Sequence, residues 1–151
     1  MLLTDLLTPD RVVVPLAARD KAGAIRELAE RLAERAGGSA AEIVEAVQER
    51  EAMLSTGIGH GIAIPHGRSP AVKDLGVVAG VSAEPIPYDA LDGEPVRLFF
   101  LLVGPETAAG QHVKVLARIA RLLRRDELRE ALLAARTPEE FHAALADADV
   151  R

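Results

Sequence analysis

A chain of 151 residues, 49% hydrophobic and 27% charged, is long enough to bury a substantial core and has an ordinary globular composition. Cysteine is absent, which excludes disulfides, thiol catalysis and thiolate metal sites, and a net charge of −5 argues against nucleic acid and for a basic partner. No apolar run reaches the roughly 18 residues of a membrane-spanning helix, and Met1-Leu2-Leu3-Thr4-Asp5 lacks the basic start of a secretion signal, so a cytoplasmic protein without membrane insertion is expected.

Residues 11–16, with three consecutive valines, read as a first strand stopped by Pro15. Asp20 is placed to cap a helix to about residue 36, with Ile25, Leu28, Ala29 and Leu32 at helical spacing and Gly37-Gly38 as its end. Ser39 followed by Glu42 is a capping box for a second helix to about residue 53, with Ile43, Val44 and Val47 inward. Ile62-Ala63-Ile64 reads as a short buried strand, residues 75–81 as a third and residues 96–103 as a fourth. The fourth is apolar on both faces, as a central strand covered on both sides must be. The rest is helical: residues 111–125, with Val115, Leu116, Ile119, Leu122 and Leu123 on one face; 126–135, capped by Asp126; and a last helix opened by Thr137-Pro138-Glu139-Glu140. The expected order is β-α-α-β-β-β-α-α-α. A mixed sheet between helical layers buries both of its faces, so the predicted fold is a three-layer α/β/α domain spanning residues 1–151.

One stretch carries more chemistry than the remainder. In Ser55-Thr56-Gly57-Ile58-Gly59-His60-Gly61-Ile62-Ala63-Ile64-Pro65-His66-Gly67-Arg68, a histidine stands directly after a proline and before a glycine. Pro65 fixes its own φ and biases Ile64 towards an extended backbone, which ends the strand and holds His66 in a defined place. Gly67 removes a side chain beside the imidazole, and Arg68 adds a fixed positive charge. A histidine mounted in this way has the geometry of a reactive group on a rigid support.

The stretch resembles the active-site signature of the enzyme IIA family of the bacterial phosphotransferase system, in its fructose/mannitol and nitrogen-regulatory branch. Residues 89–96, 97–103 and Gln111-His112-Val113-Lys114-Val115-Leu116 resemble later blocks of the same family in the same order. The resemblance implies that His66 accepts phosphate on Nε2, with Nδ1–H held by a backbone carbonyl; the sequence alone does not choose the nitrogen. His112, near a helix start where free N–H groups and the helix dipole favour an anion, matches the family's second active-site histidine. Arg50 matches a family arginine near the site and can grip phosphoryl oxygens in a fork; otherwise it is a solvated arginine beside Glu49 and Glu51. Thr56 either bonds the phosphoryl group or shapes the loop. His60 stands where the family more often carries asparagine and reads as structural, and His142 reads as a surface residue. An extended chain from His60 to His66 spans roughly 20 Å, so a shared metal is not expected.

The expected activity is that of a phosphotransferase: phosphate arrives on His66 from the histidine phosphocarrier protein and passes to a IIB domain, or its presence switches binding to a transporter or kinase. A self-contained chain tilts the expectation towards this regulatory variant. No cofactor is expected, because transfer between histidines needs neither magnesium nor nucleotide and no Walker-type glycine loop is present. The competitor is a non-catalytic regulatory module of related fold, like the cytoplasmic domains of anion exchangers; His66 together with His112 speaks against it. Docking is expected on an apolar patch with an acidic rim. Ile58 and Ile62 are candidate contacts, and Gly59, Gly61 and Gly67 keep the surface low.

Overall fold

The computed structural model describes residues 3–149. Met1, Leu2, Val150 and Arg151, included above in the expected domain and in the reading of the N-terminus, lie outside the described residues. The strands are β1 (Val12–Leu16), β2 (Gly57–Gly59), β3 (Ile62–Ala63), β4 (His66–Arg68), β5 (Gly76–Ile86) and β6 (Val96–Gly104). The helices are α1 (Lys21–Ala36), α2 (Ala40–Met53), α3 (Ala109–Leu122), α4 (Asp126–Ala134) and α5 (Pro138–Ala148).

β6 organises the molecule. Its sequence is almost wholly apolar, so it has no face to offer water and must lie between two layers. Leu98, Phe100 and Leu102 point into a core with Val115 and Ile119 of α3, Leu132 of α4 and Phe141 of α5. Phe99, Leu101 and Val103 alternate to the opposite face and pack with Ile25, Leu28 and Leu32 of α1 and Ile43 and Val47 of α2. The result is the expected α/β/α arrangement.

The sheet is mixed, in the order β1-β5-β6-β3-β2, with β4 also paired to β6. β5 runs antiparallel to β6, whereas β3 and β4 follow one another along the other side of β6, both parallel to it. Pro65 therefore does not simply end a strand. It interrupts one, because it has no N–H to donate, and pairing with β6 resumes at His66 opposite Leu102. Nor does Pro15 stop β1: the strand lies at the edge of the sheet, paired among the described residues with β5, and its register shifts between Val13 and Leu16. Proline is tolerated on such an edge.

Of the four helix caps expected from the sequence, three are formed. The side chains of Asp20, Ser39 and Thr137 accept from the N–H groups of Gly23, Glu42 and Glu140 at 2.7, 3.3 and 3.1 Å. Asp126 was expected to cap α4 but is its first helical residue; Arg125 precedes it with no side-chain cap. Asp126 instead pairs with Arg129 one turn on, where an acid also suits the helix dipole.

Candidate functional site

β4 and the start of α3 meet beside the last turn of α2, and a cleft of about 420 Å³ opens between them. Its lining includes Arg50, Met53, His66, Arg68, His112 and Val113. Three of the residues singled out from the sequence, His66, His112 and Arg50, thus come together from three separate elements.

His66 begins β4 and is partly buried. Its Nδ1 lies 2.7 Å from the carbonyl oxygen of Ile64. A carbonyl only accepts, so Nδ1 carries the proton and the lone pair resides on Nε2. Burial lowers the pKa of this imidazole; the Ile64 hydrogen bond opposes that, and the Arg50 charge adds to it. The net shift is downward, so the neutral, nucleophilic form prevails at neutral pH.

His112 lies one turn into α3 and is only 5% exposed. Its ring centroid is 5.7 Å from that of His66, with the rings inclined at 65°. Nδ1 of His112 is buried without a hydrogen-bond partner. An unmet lone pair costs less there than an unmet N–H⁺, and desolvation, reinforced by His66 and Arg68, lowers the pKa to about 4. The neutral tautomer with its proton on Nε2 follows, which makes the outer nitrogen a hydrogen-bond donor towards the cleft.

Both histidines have folded-state values below the ordinary 6.5, so the unfolded chain binds more protons between that value and the folded ones. Their contribution to stability is complete above pH 6.5 and is lost as the pH falls towards 4. Denaturant titrations should therefore show a loss from pH 7 to pH 5, of which about 2 kcal/mol is attributable to His112. A His112→Gln variant should lose correspondingly less over that interval. An identical pH profile in the variant contradicts the burial argument.

Arg50 is held at rest by its own helix end, with Nη1 donating to the carbonyl oxygen of Leu54 at 2.8 Å. Arg68 pairs with Glu106 at 3.1 Å on the surface, a contact of small energetic weight. Thr56 does not line the cleft. It is buried, with Oγ1 bonded to the Glu51 carboxylate and 3.1 Å from the Tyr88 hydroxyl, so of its two expected roles the geometry fits loop support.

Two expectations about the surface are corrected. Ile62 is 1% exposed and belongs to the core, so it cannot meet a partner. Gly67 is also buried: a Cβ built there stands 2.9 Å from the Ala46 carbonyl oxygen and 3.1 Å from the Val47 nitrogen. The glycine lets α2 close onto β4; it does not clear a path for an incoming molecule. Met53 and Val113 line the cleft and are exposed, and Ile58, the other expected contact, is also exposed.

His60 sits at φ 57° in the turn between β2 and β3, with its N–H donating to Asp92 at 3.3 Å. That left-handed position favours glycine or asparagine, and the residue serves the turn. His142 on α5 is partly buried, not fully at the surface. Among the described residues no three His, Asp or Glu side chains gather as a metal site. No helix there is long and apolar enough to cross a membrane.

Sequence reasoning missed Glu51 and Tyr88. Glu51 lies four residues beyond Val47 and eight beyond Ile43, on the stripe that α2 buries. A carboxylate continuing an apolar stripe was the available signal.

Comparison with known proteins bears on this arrangement. Residues 5–148 match the family described as phosphoenolpyruvate-dependent sugar phosphotransferase system, EIIA 2. A nitrogen regulatory protein of Bradyrhizobium diazoefficiens is 38% identical over 146 residues, covering 97% of this chain and 95% of that one. A fructose-specific EIIABC component of Bacillus subtilis is 35% identical over 141 residues, which cover 92% of this chain but 22% of the larger protein. Among solved structures, the nitrogen regulatory protein IIA-Ntr of Neisseria meningitidis superposes with a TM-score of 0.88 at 34% identity, covering 95% of this chain and 98% of that one. The anion-exchanger-like alternative is not favoured by these matches. The chain belongs to the enzyme IIA family of the phosphoenolpyruvate-dependent sugar phosphotransferase system.

Proposed function

We propose that this protein is a phosphoryl carrier that accepts phosphate on Nε2 of His66 from a histidine phosphocarrier protein and passes it on. The observation that carries the reading is the pinned imidazole: Nδ1 bound to Ile64, the lone pair left on Nε2, in a cleft shared with a second histidine. In the transfer, the Nε2 lone pair attacks phosphorus as the N–P bond to the donor imidazole breaks, and the donor keeps that electron pair. The transition state asks for little covalent assistance, so alignment and charge stabilisation carry the catalysis. Nδ1–H, held by Ile64, stabilises the positive charge that develops on the phosphorylated ring. His112 donates from Nε2 to a phosphoryl oxygen, and Arg50 exchanges the Leu54 carbonyl for another.

The onward acceptor is either a IIB domain, as the composite name of the Bacillus relative implies for that protein, or a transporter or kinase regulated by the phosphorylation state. The near full-length resemblance to nitrogen regulatory proteins supports the second. Rapid-quench phosphorylation with phosphoenolpyruvate, enzyme I and the phosphocarrier protein tests the roles. His112→Ala and Arg50→Ala should each lower the transfer rate by roughly one to two powers of ten, as expected for loss of a charge-assisted hydrogen bond of about 1.5–3 kcal/mol. Wild-type rates in both directions remove either residue from the site.

A further inference from the structure

Behind the cleft lies a buried polar cluster that the steps above do not use. The side chain of Glu51, on the last turn of α2, is 6% exposed. Its carboxylate receives Lys21 Nζ at 2.9 Å, Tyr88 OH at 2.9 Å, Thr56 N–H at 3.0 and 3.2 Å to its two oxygens, and Thr56 Oγ1–H. Lys21 Nζ also lies 4.5 Å from the centroid of the Tyr88 ring. Packing alone does not require a charge here, because an apolar side chain would continue the stripe of Ile43 and Val47. The cluster does reach the reacting ring, through the backbone. Ile64 N–H donates to the Thr56 carbonyl at 3.0 Å, and the Ile64 carbonyl accepts Nδ1–H of His66 at 2.7 Å.

We propose that Glu51 is a positioning residue for phosphoryl transfer: by clamping Thr56 it fixes Ile64, and through Ile64 the tautomer and direction of the His66 imidazole. The proposal rests on the reading of His66 as the phosphoryl acceptor. It differs from a purely structural role in what it requires of the molecules that remain folded. Loss of a merely structural carboxylate would lower stability and leave the ring of every folded molecule unchanged. Loss of a positioning carboxylate alters the ring itself.

Glu51→Gln separates the two, since the amide keeps the shape but offers one acceptor oxygen to donors that now share two. Heteronuclear NMR of the histidine rings in the full chain reads the His66 tautomer without any phosphoryl donor, and initial rates with the phosphocarrier protein read transfer. In Glu51→Gln a measurable share of the Nε2–H tautomer should appear, with kcat lower by roughly tenfold and KM for the phosphocarrier protein within about twofold. Leu132→Ala, in the core on the opposite side of the sheet, serves as a destabilised control and should leave the tautomer as in the wild type. If Glu51→Gln does not fold, Thr56→Val removes the two Oγ1 contacts, to Glu51 and to the Tyr88 hydroxyl, keeps the Thr56 N–H bonds to the carboxylate, and should shift tautomer and kcat the same way by about threefold. A wild-type tautomer and kcat in the folded variant overturn the proposal. A wild-type protein that never takes phosphate on His66 refutes the reading of His66 instead, and the tautomer then decides the influence of Glu51 alone.

Discussion

His66→Ala is expected to abolish phosphoryl acceptance, with the rate falling by at least about four powers of ten. The size of the effect follows from the absence of a substitute. His112 is the only other histidine on the cleft among the described residues, and its inner nitrogen is buried without a partner. Its depressed pKa, about 4, also makes it the weaker nucleophile. It can therefore support an attack by His66 and cannot replace it. The variant should fold normally, because His66 is partly exposed and its ring makes one hydrogen bond within its own segment. A circular dichroism spectrum and melting temperature like those of the wild type, beside lost transfer, is the expected pair of results. Residual transfer above about one per cent of the wild-type rate indicates another acceptor.

Gly67→Leu should strongly destabilise the fold, not merely hinder the docking of a partner. The new Cβ would meet backbone atoms of Ala46 and Val47 at 2.9 to 3.1 Å, and backbone cannot turn aside as a side chain can. α2 would have to lift from β4, exposing Ile43 and Val47, which are both fully buried. The cost should be about 3 kcal/mol or more, and even Gly67→Ala should lose about 1–3 kcal/mol. Urea unfolding measures both. Wild-type stability in Gly67→Leu contradicts the close approach of α2 to β4.

Much of the fold is legible in the sequence because its strongest signals are one-dimensional. The apolar run of β6 announces a strand covered on both sides, and the alternation of Phe99 and Phe100 between the two cores realises it. Asp20, Ser39 and Thr137 mark helix starts by a short-range chemistry that needs no tertiary context. The strands that escaped, β2 and β4, are three residues each and rich in glycine, so neither propensity nor alternation marks them. They exist because β3 and β6 supply partners, which is a tertiary fact.

The candidate site divides in the same way. His66 stands out through its Pro-His-Gly setting, and the resemblance that starts there brought in His112 and Arg50. Gly67 was misread because sequence shows that a side chain is missing but not which neighbour needs the space. Glu51 was noted only as a neighbour of Arg50, although its spacing from Ile43 and Val47 put it on the buried face. Its partners Lys21 and Tyr88 are 30 and 37 residues away, beyond any local pattern.

The most direct measurement is the identity of the phosphorylated atom after incubation of the full chain with phosphoenolpyruvate, enzyme I and the phosphocarrier protein. Peptide mapping at alkaline pH locates the residue, and coupling between phosphorus and nitrogen in NMR locates the atom. The arrangement of Ile64, Pro65 and His66 predicts an acid-labile, base-stable phosphoryl group on Nε2 of His66. A phosphoryl group on Nδ1 of His66 or on His112, or no adduct while the same components phosphorylate another enzyme IIA, would contradict it.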